Sequence, residues 1–174
     1  MKFLLAAMNA KYIHSNPGLY SMRACVPQAY RDSVEIAEYT INHRMEEVLF
    51  DLYERHPDVV GFSCYIWNWT QIKEVIVELH KILPDVPIWL GGPEVSYDAP
   101  AILKTLPQVT GVIIGEGEVT FTELLVRYLE GEDIRHVAGT ICRSKEGELV
   151  HNRQRELTDL STLPFLYERL DIMF

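Results

Sequence analysis

Short runs that are apolar at nearly every position alternate along this chain with longer stretches whose apolar residues recur every three or four positions. That alternation of strand-length and helical patterns is the signature of βαβ units. Five strands are predicted, over residues 3–8, 34–41, 59–64, 86–90 and 112–114. Three of them lack a polar alternate, as a parallel sheet covered on both faces requires. The helices between them carry start signals. Asn16-Pro17 places a capping side chain before a first-turn proline, with Leu19, Met22 and Val26 on one face. Asn42 precedes a stripe of Met45, Val48, Leu49 and Leu52. Asn68, with Gln71 three residues on, reads as a capping box ahead of Ile72, Val75, Ile76, Leu79 and Leu83. Asp98 opens a short helix ending near Pro107, and a helix through Phe121, Leu124, Leu125, Tyr128 and Leu129 stops at Gly131.

Beyond Gly131 the pattern changes. Residues 137–143 and 148–152 flank a Ser-Lys-Glu-Gly turn and read as an antiparallel hairpin extending one sheet edge. Residues 153–174, with Leu157, Leu160, Leu163, Pro164, Phe165 and Leu170, have no clean period and read as a linker or docking tail. The expected fold is therefore α/β and flavodoxin-like. It is a doubly wound, five-stranded, mostly parallel sheet of order 2-1-3-4-5 with a C-terminal hairpin, one domain over 1–152 and a tail over 153–174.

With 48% hydrophobic residues, the 174-residue chain can fill one core. Its 16 basic against 25 acidic residues give a net charge of −9, which argues against nucleic acid. The opening apolar run stops at Met8, too short for a signal peptide, and no run approaches membrane-span length. Three scattered cysteines, Cys25, Cys64 and Cys142, form neither a disulfide framework nor a ligand pair, which fits a reducing cytoplasm.

In doubly wound sheets, ligands bind outside the carboxyl ends of the strands. That points to four loops, 9–18, 63–69, 91–96 and 115–118. Gly91-Gly92-Pro93-Glu94 allows close backbone approach to a ligand, or is simply a tight turn. Gly115-Glu116-Gly117-Glu118 carries the same ambiguity and lacks the third glycine of a dinucleotide fingerprint. Tyr65, Trp67 and Trp69 offer an apolar wall or pack over the sheet edge. Ser63 bonds a ligand or its own turn. His14 stands alone, more in keeping with a surface residue than a metal ligand. Met8-Asn9 and Cys64-Tyr65 stand where a phosphoreceiver domain needs acidic groups. Ala10-Lys11-Tyr12-Ile13 replaces the phosphate loop of a flavodoxin. No hydrolytic triad is legible.

Taken together, the stretches Val60-Gly61-Phe62-Ser63-Cys64-Tyr65, Trp89-Leu90-Gly91-Gly92-Pro93-Glu94-Val95-Ser96, Gly115-Glu116-Gly117-Glu118 with Phe121, and Leu163-Pro164-Phe165 resemble the N-terminal cobalamin-binding domain of cobalamin-dependent radical SAM proteins. The resemblance implies that the cobalamin nucleotide tail enters between sheet and helix near Ser63, Gly91 and Gly92. It places the corrin over the loops holding Tyr12, Tyr65 and Trp67, with His14, Pro93, Glu94, Gly115, Glu116 and Gly117 completing the candidate site. A bulky residue at Gly92 is expected to block the tail cleft and leave the sheet folded.

Two departures qualify the match. The wider cobalamin fold often carries Asp-x-His-x-x-Gly after the first strand; here Tyr12 stands at the Asp position and His14 lies four residues before Gly18. The cobalt is then base-off, without a protein ligand. Nor does the chain hold the Cys-x-x-x-Cys-x-x-Cys of a radical SAM domain. The implied picture is a module without catalysis of its own. Its partner is a radical SAM domain of the same parent chain, which would bring S-adenosylmethionine and a [4Fe-4S] cluster for methyl transfer or related radical chemistry. The exposed tail also leaves room for a homodimer of the fragment. Two rival readings stay open, a degenerate docking or substrate-recognition domain and a binder of another small anionic metabolite; Glu94, Glu116 and Glu118 count against the second.

Overall fold

A computed structural model describes residues 1–12 and 14–164. Five parallel strands, β1 (Phe3–Asn9), β2 (Val34–Thr40), β3 (Val59–Ser63), β4 (Ile88–Gly91) and β5 (Val109–Ile113), are joined by two antiparallel ones, β6 (Thr140–Arg143) and β7 (Leu149–His151). The sheet runs β2-β1-β3-β4-β5-β6-β7. It counts seven strands, not five, because the hairpin is hydrogen-bonded to β5 and continues the sheet. The fifth strand starts at Val109, earlier than expected, since Thr110 and Gly111 interrupt its apolar run. A Cβ on Gly111 would lie 2.5 Å from the Trp89 ring, so the glycine is what lets that indole lie against β5.

The central strands β1 and β3 are buried at every position, and the side chains of the parallel strands feed two cores. On one face Leu4, Ala6, Met8, Val60, Phe62, Ile88, Leu90 and Val112 meet α2 (Met45–Glu54), α3 (Trp69–Ile82), α4 (Pro93–Ser96) and α5 (Ala99–Thr105). On the other, Phe3, Leu5, Ala7, Val59, Trp89 and Ile113 meet α1 (Pro17–Cys25) and α6 (Glu118–Glu130), together with Val26, Val34, Val137 and Cys142. The helix expected at Asp98 is thus preceded by a separate turn of helix opening at Pro93. As predicted, the Asn16 side chain caps α1 by accepting from Leu19 N–H, and Gly131 ends α6 in the left-handed conformation.

Asn68 precedes α3 but does not cap it. Its side chain turns back into the sheet. The amide oxygen accepts from Tyr65 N–H at 2.8 Å, and Nδ2 donates to the carbonyls of Met8 and Ser63 at 3.0 and 3.1 Å. Gln71 instead donates to the Ile41 carbonyl. Among the described residues no helix is long and apolar enough to cross a membrane.

Candidate functional site

Chain order reverses between β1 and β3, and a cavity of about 610 Å³ opens there, between the sheet and helices α1 and α6. Its floor follows from strand register. Ala7 pairs with Ser63 and Ser63 with Gly91, so three small residues lie side by side across the carboxyl edge. One step back, Leu5, Gly61 and Trp89 form the next row. Small side chains in a parallel sheet leave volume that larger ones would fill. Leu19 and Met22 of α1, Phe121 of α6 and Ile113 of β5 close the sides. Trp89, buried at 1% exposure, bounds the deep end and donates from Nε1 to the Tyr128 hydroxyl at 2.9 Å.

A buried polar network borders one wall. Asn9, Asn16 and Ser63 are nearly inaccessible. Glu38 on β2 accepts from Asn9 Nδ2 (2.9 Å), Asn16 N–H (2.6 Å) and Tyr20 Oη–H (2.6 Å). Asn9 Nδ2 also donates to the His14 carbonyl, and Asn16 Nδ2 to Ser63 Oγ at 3.1 Å. The network fixes the course of the first loop over the strand ends. Burial and the Glu38 carboxylate push the Tyr20 hydroxyl up to about 12.

The paired glycines have different duties. Gly91 has room on the cavity side, with Ile113 Cβ 3.9 Å from any Cβ built there. Gly92 has φ 106° and a Cβ on it would lie 2.4 Å from the Cys64 carbonyl oxygen. A side chain at Gly92 therefore breaks the β3–β4 loop packing before it reaches the cleft, contrary to the sequence-based expectation. Ser96 ties two loops at the mouth, donating to the Gly92 carbonyl (2.9 Å) and accepting from Gly115 N–H (3.4 Å). Gly117 has no Cβ where Met22 Sδ comes close, 3.2 Å from that position. Both nearby carboxylates already have donors: Glu116 accepts from Thr158 N–H, which lowers its pKa, and Glu118 accepts from Ser21 Oγ–H.

Of the residues chosen from sequence, Ser63, Tyr65, Gly91, Gly92, Pro93, Gly115, Glu116 and Gly117 line the cavity. Tyr12, His14, Trp67 and Glu94 do not. Trp67 stacks on Tyr65 (centroids 4.5 Å, planes 9° apart) at the rim, where Ile66 and Tyr97 are also exposed. Tyr12 leans toward His43, and His14 is exposed with its carbonyl, not its ring, recorded in the network. Trp69 sits on α3 against the opposite core, so it does not close the cleft. Phe165 and Leu170 of the tail, and Ile13, lie outside the described residues. Burial drives the Cys64 thiol well above its ordinary range, which removes it as a nucleophile. Among the described residues no three His, Cys, Asp or Glu side chains gather as a metal-holding group. Asn16 and Met22 join the site through loop closure without having been chosen, and Trp89 and Ser96, part of a matching stretch but given no role there, line it.

The model of the B12 binding domain family matches residues 4–125, which spans every strand of the parallel sheet and the start of α6. The cobalamin-dependent radical SAM methyltransferase TokK of Streptomyces tokunonensis is 32% identical over 112 residues, 64% of this chain and 16% of that protein. The radical enzyme OxsB, solved with aqua-cobalamin and S-adenosylmethionine bound, superposes with a TM-score of 0.71 at 17% identity over 92% of this chain and 23% of its own. TsrM from Kitasatospora setae, solved with cobalamin and a [4Fe-4S] cluster, gives 0.66 at 22% identity over 91% and 30%. The chain thus spans less than a third of each.

Proposed function

Since the chain belongs to the B12 binding domain family, we propose that its cavity receives the nucleotide tail of cobalamin and its rim the corrin. The observation that carries this is the row Ala7, Ser63 and Gly91, whose small side chains lie beside a cavity lined by Ser63, Gly61 and Gly91 between sheet and helix, where the resemblance puts the tail. Its volume falls within the roughly 300–1,000 Å³ of small-molecule sites. The cleft is open, which speaks against a degenerate docking module. Gly61 and Gly91 give the tail its passage, Ser63 presents a hydroxyl, and the Ser96 bridge holds the mouth. Stacked Tyr65 and Trp67 supply an apolar ledge for a flat macrocycle.

A tail seated in the cavity would leave the cobalt base-off, and His14, outside the cavity lining, gives it no protein ligand there. When bound, cobalamin supplies a cobalt centre that carries a methyl group or relays an electron. This chain's residues hold and orient it. A radical SAM domain of a longer parent chain would supply S-adenosylmethionine, the iron–sulfur cluster and the substrate, as the names of TokK and TsrM suggest.

Titration of the 174-residue chain with hydroxocobalamin tests the reading. We expect saturable one-to-one binding with the absorbance of the base-off form, unchanged in His14→Ala. Absence of saturable binding, with no rise in melting temperature at millimolar ligand, would overturn it.

A further inference from the structure

We infer that Asn16 sets the hydrogen-bond polarity of the cavity, forcing Ser63 to act as a donor to the bound tail. The inference rests on the tail-site reading above. An amide side chain has one accepting and one donating end. Leu19 N–H, at 3.3 Å, requires Asn16 Oδ1, because an amide nitrogen cannot accept. Nδ2 is thereby turned toward Ser63 Oγ and donates to it at 3.1 Å. The Ser63 hydroxyl has then spent a lone pair on Asn16, and among the described residues its proton has no acceptor. Ser63 lines the cavity, so that proton is available to a ligand. The tail must place an acceptor there.

Glu38 keeps the device in register. Its carboxylate takes the Asn16 main-chain N–H and the Tyr20 hydroxyl, and Asn9 shares the same oxygen as Asn16. Asn16 is therefore a positioning residue. It acts through Ser63, and its own side chain does not line the cavity.

The test compares hydroxocobalamin with cobinamide, which lacks the nucleotide tail, and reads the ratio of their affinities. Asp caps a helix as well as Asn, but once ionised it can only accept, so in Asn16→Asp, read at a pH where that carboxyl is ionised, the Ser63 proton turns inward and lone pairs face the tail. The cobalamin-to-cobinamide ratio should fall roughly tenfold, the scale of one net hydrogen bond, with cobinamide affinity unchanged. Ser63→Ala should lose the same increment, and the double variant no more than either. Asn16→Ser, uncharged and still able to cap, should lose part of it without lowering the melting temperature. A wild-type ratio in Asn16→Asp overturns the inference. So does an equal loss for both ligands, which marks a purely structural role. If bound hydroxocobalamin keeps the base-on absorbance, its tail has not left cobalt for the cavity, the tail-site reading itself falls, and this inference with it.

Discussion

Adjacent glycines show how much a single residue's surroundings decide. Gly91→Val adds bulk on the cavity side where an ordinary van der Waals neighbour is 3.9 Å away. It should leave stability within about 1 kcal/mol and weaken hydroxocobalamin binding more than roughly tenfold. Gly92→Ala meets both the left-handed φ of 106° and the Cys64 carbonyl, and should cost about 2 kcal/mol or more in urea unfolding. Sequence alone treats the two as one motif, because φ and neighbours are set by the loop's path. Tyr20 makes a pH prediction. Its proton is held up to about 12, first by burial and then by Glu38. The folded state keeps that proton where the unfolded chain loses it, so the stabilisation is intact below about pH 10 and fades as pH rises toward 12. Tyr20→Phe should flatten part of that alkaline limb in urea titrations, and cost about 1 kcal/mol at neutral pH.

At the scale of elements, hydrophobic periodicity made most strands and helices legible, since burial on one stripe or on both faces leaves its mark in the order of residues. What periodicity misses is where side chains point at the ends. The Asn68-Gln71 pair has the spacing of a capping box, yet Asn68 binds β1, β3 and the Tyr65 turn together. Removing it in Asn68→Ala orphans a half-buried donor and two buried carbonyls, and should cost about 2–3 kcal/mol in chemical denaturation. A mere helix cap would cost nearer 1 kcal/mol. The start of β5 was hidden for a related reason: Gly111 weakens the strand signal, and its neighbours, the Trp89 ring and Cys142 Cβ, leave no room for a side chain there.

For the whole molecule, alternation of elements made the mostly parallel sheet legible, but not its count of seven strands, which follows from the hydrogen bonds that join the hairpin to β5. The carboxyl-end loops located the candidate cavity, but its depth was not legible, because it depends on small residues that are far apart in the chain and adjacent only in register. The molecule is unequal about its sheet, with four helices sealing one face and two flanking the cleft on the other. A ligand seated there stabilises the native state alone. Hydroxocobalamin at about 100 times its dissociation constant should raise the melting temperature by roughly 5–10 °C. The buried Trp89 at the cavity's deep end also has an optical consequence. Its indole, almost fully buried and hydrogen-bonded to Tyr128, should emit toward the blue, while Trp67 at the rim and the half-buried Trp69 on α3 should emit toward the red. The chain thus carries one fluorophore at each end of its binding path, and a colourless tail fragment would perturb the blue emitter while leaving the red emission unchanged.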